Sequence, residues 1–117
     1  MEMKMPGVFV LDRASILERL GGDEEIYKMM VDMFLQDVEN NCLTLAAALS
    51  SGDAPTLQRE IHTIKGLLAT FSDEAGAEEA YQAEHKVRNG DLLGVDKAVQ
   101  GMQVRLREVA SVLRAGR

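Results

Sequence analysis

From residue 23 onward, apolar side chains recur at steps of three and four along nearly the whole chain. That spacing matches the turn of an α-helix and keeps the apolar groups on one face. Short Gly-, Asp- and Asn-containing stretches interrupt it and divide the chain into five predicted helices. The first is short, with Asp12 as N-cap, and runs to Leu20, where Gly21-Gly22 stops it. The second starts at Asp23, carries Tyr27, Val31, Phe34, Val38, Cys42, Leu45 and Leu49 on one stripe, and ends at Ser50-Ser51-Gly52. The third starts from Asp53. Pro55 is tolerated in its first turn, because the N–H it lacks would have had no intrahelical partner there. Its stripe is Leu57, Ile61, Ile64, Leu68 and Phe71. The fourth runs from about Ser72 to Arg88 and stops at Asn89-Gly90. Its inner face is small (Gly76, Ala77, Ala80, Ala83, Val87), which lets a neighbouring helix approach closely. The fifth starts near Asp91 and carries Leu92, Val95, Val99, Met102, Leu106, Val109 and Leu113. Four long amphipathic helices on short connections predict an all-α fold, an antiparallel up-down-up-down four-helix bundle with a short extra N-terminal helix.

Composition narrows the picture further. A length of 117 residues suits one domain, 1–117, with residues 1–7 as a flexible lead. Two prolines and 4% aromatics argue against a turn-rich β fold. The net charge of −6, with Lys and Arg never gathered into a continuous stripe, excludes a nucleic-acid groove. Arg105, Arg107, Arg114 and Arg117 form the nearest approach to a cluster, and on a last helix they are expected to complement the negative end of its dipole. Cys42 is the lone cysteine, so no internal disulfide can form, and a buried thiol in a reducing cytoplasm is expected. No apolar run reaches the ~20 residues that span a bilayer. Met1 to Gly7 is too short and polar for a signal peptide, so the expected location is the cytoplasm, away from the membrane.

One position on the third helix departs from the packing logic. With the core stripe at zero, His62 points roughly 140° away from it at about 100° per residue, into solvent. Gly66 and Ala69, on the following turns, are too small to cover the imidazole. Lys65 lies between His62 and the core edge. A glycine inside a helix costs about 1 kcal/mol relative to alanine, and no turn or cap is expected at Gly66 because the stripe continues past it. A helix keeps such a spot bare for a partner or ligand, or else to let another helix pack closely against it, and the position of Gly66 opposite the stripe favours the first. An exposed imidazole in its neutral form offers a nucleophilic nitrogen. Phosphoryl transfer needs in-line access to that nitrogen and a cation for the arriving oxygens. His62, Lys65 and Gly66 supply a nucleophile, a charge and a clearing. Gln58, Arg59, Thr63, Ala69 and Thr70 border His62 and are the expected docking rim.

At these residues the chain resembles the histidine-containing phosphotransfer (HPt) domain family of two-component phosphorelays. The family's signature is His-x-x-Lys-Gly in mid-helix, and here it stands as His62-Thr63-Ile64-Lys65-Gly66. The resemblance covers nearly the whole chain. Val8 to Asp23 looks like the short lead helix with its Gly-Gly-Asp link. Phe34-Leu35, Ser51-Gly52-Asp53, Asn89-Gly90-Asp91 and Glu84 also fall where the family pattern has similar residues. The resemblance implies that His62 is the phosphorylated residue, that Lys65 assists the phosphate and that Gly66 leaves room for the partner. It implies a phosphocarrier rather than an enzyme, with no cofactor or metal of its own. The partner would be a receiver domain of a response regulator or of a hybrid sensor histidine kinase, and that receiver would hold the Mg²⁺. The chain departs from the pattern at Leu67-Leu68 (often Ser-Ala), at Thr70-Phe71-Ser72 (often Asn, a hydrophobic residue, Gly) and at Ala83 (often Leu).

Other readings fit less well. A sensor kinase's dimerisation helix carries proline soon after its histidine, and no proline follows Pro55. A di-metal carboxylate bundle needs Glu-x-x-His pairs, but Arg59 and Gln82 stand three residues before His62 and His85. His85 reads as a surface histidine, and Glu60, Glu78, Glu79 and Glu84 as solvated helix charges. The alternative from another class is a non-phosphorylated helical adaptor, in which His62 would be dispensable. Each long helix shows one main stripe, already used by the bundle, so a monomer is expected.

Overall fold

The computed structural model describes residues 7–116, so Met1 to Pro6 of the expected flexible lead and Arg117 lie outside the described residues. Five helices follow one another: α1 (Arg13–Arg19), α2 (Glu24–Ser51), α3 (Ala54–Thr70), α4 (Glu74–Arg88) and α5 (Val95–Ala115). Each of the four long helices packs on its neighbour in sequence, and α5 closes the ring against α2. Short connections force the long helices to alternate in direction, which gives the expected bundle.

Aspartates set the starts of four helices. The side chains of Asp12, Asp23, Asp53 and Asp73 accept hydrogen bonds from the orphan N–H groups of α1, α2, α3 and α4 respectively. α3 thus begins where Asp53 and Pro55 place it. The predicted stripes are buried in the core, with Ile61, Leu68, Leu45 and Leu106 fully enclosed. On α2 the stripe drifts by one residue at its end, so that Ala48 is buried and Leu49 only half-buried.

Three expectations need correction. α4 starts at Glu74, not Ser72, because Ser72 adopts φ 62° and cannot be helical. α5 starts at Val95, not near Asp91. Gly90 and Gly94 both take left-handed conformations, and Asp91 spends its carboxylate on the Leu93 N–H within the loop. Leu92 is consequently exposed rather than part of the core. The C-terminal arginines do not act as one dipole-complementing group. Arg105 is buried and grips Asp73 through Nε and Nη2 at 2.7 and 2.8 Å, and Arg107 pairs with Glu39 across to α2. Arg114 does sit in the last turn of α5.

The Arg105–Asp73 pair ties three segments together. Arg105 Nη1 also donates to the Gly7 carbonyl at 2.9 Å and to Glu108. Glu108 accepts the N–H of Phe9, whose buried ring lies under the guanidinium. Asp73 meanwhile caps α4 at the Gly76 N–H, and a Cβ on Gly76 would fall 2.1 Å from an Asp73 carboxylate oxygen. Only glycine leaves room for that close approach.

Candidate functional site

His62 projects from the middle of α3 with 63% of its side chain exposed. The helix continues for two turns beyond it, because Ile61, Ile64 and Leu68 anchor the opposite face in the core. An added Cβ at Gly66 would meet nothing within 4 Å. The glycine therefore does not serve helix packing, and the surface beside His62 is open. Lys65 is half-buried, on the side of α3 that faces α4.

The residue that organises the site is Glu84 on α4, read from the sequence as a solvated charge. It is only 2% exposed. Its Oε2 lies 3.0 Å from His62 Nδ1 and 3.0 Å from Arg88 Nη2, and its Oε1 lies 2.9 Å from Lys65 Nζ. Burial alone acts to raise the Glu84 pKa. The hydrogen bonds from Lys65 and His62, with the Lys65 charge behind them, outweigh it and hold the carboxyl below its usual range. Glu84 is therefore ionised at neutral pH and can only accept hydrogen bonds. Nδ1 must then carry the proton it donates, and in the neutral imidazole the lone pair falls on Nε2, at the end of the ring away from Glu84.

A signal for Glu84 was available in the sequence. It stands one turn after Ala80 and one turn before Val87, both on the small inner face of α4. A carboxylate inside an otherwise apolar stripe needs partners. Arg88, one turn on, and Lys65, across the helix pair, are the ones it finds.

The expected rim residues surround His62 but line three separate depressions. Gln58 and Arg59 share one of about 510 Å³ with His62, Pro55 and Glu84. Thr63 and Thr70 face a narrower groove of about 300 Å³ between α3 and α2, with Leu67, Met30 and Met33 on its walls. Ala69 lies on a third, of about 570 Å³, with Lys65, Gly66 and Tyr81. The two threonine hydroxyls are spent within α3, on the carbonyls of Arg59 and Gly66. The far end of α3 is closed by Ser72 and Asp73, whose N–H groups bond Ala69 and Leu68 carbonyls, while Arg19 of α1 reaches the Thr70 carbonyl and the Ser72 hydroxyl. His85 is exposed and bonded to Asn89.

The Hpt domain model matches residues 29–116, most of α2 and all of α3 to α5. The chain belongs to the Hpt family. It is also similar in fold to the crystal structure of histidine-containing phosphotransfer protein B from Pseudomonas aeruginosa PAO1, with a TM-score of 0.80 and 24% identity over 91% of this chain and 92% of that one. No curated protein matches the sequence at a significant level. As an Hpt domain the chain is a phosphorelay intermediate, a carrier of phosphoryl groups between receiver domains rather than an enzyme in its own right. Hpt domains partner with receiver and histidine kinase domains. Among the described residues, no group of three or more His, Cys, Asp or Glu side chains is arranged to hold a metal ion, and no helix is long and apolar enough to cross a membrane.

Proposed function

We propose that His62 is the phosphoacceptor, and that its Nε2 takes the phosphoryl group from the aspartyl phosphate of one receiver and gives it to the aspartate of another. The observation that carries this reading is the buried Glu84 carboxylate on Nδ1, which in the neutral imidazole puts the lone pair on Nε2, beside the bare surface of Gly66.

The step balances without a proton transfer. The Nε2 lone pair attacks phosphorus, the P–N bond forms, and the P–O bond to the aspartyl group breaks. The aspartate leaves as a carboxylate, and Nδ1 keeps its proton throughout. The imidazole becomes positively charged as the bond forms, and ionised Glu84 at 3.0 Å offsets that charge. Lys65 and Arg88 are the nearby cations for the phosphoryl oxygens. Gly66 admits the partner. Return transfer to a receiver runs the same path backwards.

The receiver supplies its own Mg²⁺, and the carrier holds no metal. The partners are receiver domains of response regulators or of a hybrid sensor histidine kinase, docked over Gln58, Arg59, Thr63, Ala69 and Thr70. The setting is the cytoplasm and the carrier acts as a monomer, since each long helix spends its main apolar stripe inside the bundle.

The test is transfer from a panel of phosphorylated receiver domains with Mg²⁺ to the wild type and to His62→Gln. Acid-labile, base-stable label on the wild type alone is the expected result. No label from any receiver, with the fold intact, would favour the adaptor reading. Label that persists in His62→Gln would overturn the assignment of the acceptor.

A further inference from the structure

Lys65 is held from two directions, and only one of them is the Glu84 carboxylate. The face of Tyr81 lies beneath the ammonium, with Nζ 5.4 Å from the ring centroid. Tyr81 and Glu84 sit one turn apart on α4, so together they bracket the end of the lysine chain. The tyrosine ring is itself supported, since His85 stacks on it at 6.3 Å with the rings 26° apart, and a ring nitrogen of His85 meets the Asn89 amide at 3.1 Å. Tyr81 also lines the groove that contains Gly66 and Lys65.

A lysine on a flexible four-carbon stem has much rotamer freedom to lose, and a single hydrogen bond to Glu84 fixes a distance but not a direction. An aromatic face adds the second constraint, because its quadrupole attracts a cation above the ring. We propose that Tyr81 is a positioning residue for phosphoryl transfer: its ring holds the Lys65 ammonium at the edge of the Gly66 clearing, where the phosphoryl oxygens arrive at His62. This role rests on the reading of His62 as phosphoacceptor. It concerns the rate of the transfer step, not the affinity for the receiver. A tyrosine that merely touched the docked partner would do the reverse.

The experiment measures transfer from a phosphorylated receiver over a range of receiver concentrations, for the wild type, Tyr81→Phe and Tyr81→Leu. Phe keeps the aromatic face, and Leu keeps bulk without it. The size of a cation–π contact at a partly exposed site corresponds to a slowing of about two- to fivefold. Tyr81→Leu is expected to lower the maximal rate by that factor and leave the half-saturating concentration unchanged, while Tyr81→Phe transfers like the wild type. In a Lys65→Ala background, Tyr81→Leu is expected to do nothing more, because its effect passes through the lysine.

A change confined to half-saturation, a failure of Phe to restore the rate, or an equal slowing in the Lys65→Ala background overturns the proposal. Proton NMR supplies a readout independent of phosphate. The Lys65 ε-methylene resonances should be shifted upfield by the ring in the wild type and in Tyr81→Phe, and released in Tyr81→Leu. Label on His62 without that upfield shift overturns the role of Tyr81 and leaves the acceptor standing. No label from any receiver, with the shift present, overturns the acceptor reading and this role with it.

Discussion

Asp73, at the turn into α4, and Glu84, further along the same helix, are both nearly inaccessible to water. Both carry arginine partners, and both sit where an apolar residue would have cost less to bury. Their partners differ. Asp73 faces Arg105, which is itself 3% exposed, so both charges of the pair are buried together. Glu84 faces His62 and Arg88, which are 63% and 49% exposed, and half-buried Lys65. The first carboxylate ties α4, α5 and the segment at Gly7 and Phe9 to one another. The second is a buried foundation for groups that remain in solvent. A buried charge thus serves structure when its partners are buried with it, and serves a surface site when they are not.

The largest effect expected from breaking this comparison is on stability. Removing one member of a buried pair leaves an uncompensated charge, which costs about 3–5 kcal/mol. Asp73→Ala and Arg105→Ala should each lose that amount in urea or thermal melts, a large share of a small domain's stability. The double variant should lose less than the two singles added together. Transfer by the folded fraction, at low temperature, should be little changed. If either single variant melts like the wild type, the pair does not hold the bundle together.

Glu84 should reverse that pattern. Glu84→Ala removes the anchor of the imidazole and frees Lys65 and Arg88 to solvent. By analogy with carboxylates that orient histidines in other sites, transfer should fall about ten- to a hundredfold. Glu84→Gln keeps an acceptor for Nδ1–H without the charge, and should lie between Ala and the wild type. Acidification gives a second handle. The Glu84 carboxyl is held below the usual glutamate value of 4.5, so its contribution to stability is present above that value and is lost as the pH falls through the lower, folded value. The difference in melting temperature between wild type and Glu84→Gln should therefore be constant near neutrality and shrink below about pH 4.5. A difference that grew on acidification would reverse the assigned direction.

Gly66 sharpens the same contrast at smaller size. Its Cβ position is open, so Gly66→Ala should stabilise the fold by about 1 kcal/mol through helix propensity alone. Gly66→Leu should keep most of that gain, yet it places a side chain over the approach to His62 and should block transfer. Stability measured by melts and transfer measured with a phosphorylated receiver would then move in opposite directions. Native-rate transfer by Gly66→Leu would show that the clearing is not needed.

The same division explains what could be read from the sequence. Helix faces and the starts of α1, α2 and α3 were legible, because Asp12, Asp23, Asp53 and the repeats of Leu and Val act through neighbours three or four residues away. His62, Lys65 and Gly66 were legible as a set because all three lie on one helix. Tyr81 and Arg105 were not, since each acquires its meaning from a partner on another element, Lys65 for the first and Asp73 for the second, and Glu84 showed only as a charge inside an apolar stripe whose partners, Lys65 and His62, stand on another helix. The start of α5 was missed for a related reason. Leu92 keeps the heptad-like spacing, but Gly90 and Gly94 take left-handed angles that periodicity alone does not reveal.

Ser72 is the smallest of these cases and shows how a local departure is absorbed. It holds the left-handed position that closes α3, with φ 62°, where glycine is the ordinary occupant. The helix-closing bonds still form, from Ser72 N–H to Ala69 and from Asp73 N–H to Leu68. A non-glycine residue there is strained by about 1–2 kcal/mol. The Ser72 hydroxyl offsets part of that by accepting from Arg19 at 2.7 Å, a contact that also anchors α1. Ser72→Gly relieves the strain but gives up that bond and adds freedom to the unfolded chain, so its net gain should stay below about 1 kcal/mol. Ser72→Ala keeps the strain and loses the bond, and should fall about 1 kcal/mol below the wild type. The expected order in thermal melts is Gly at or slightly above Ser, and Ser above Ala. An alanine variant as stable as the wild type would mean that Arg19 holds α1 through the α3 carbonyls alone.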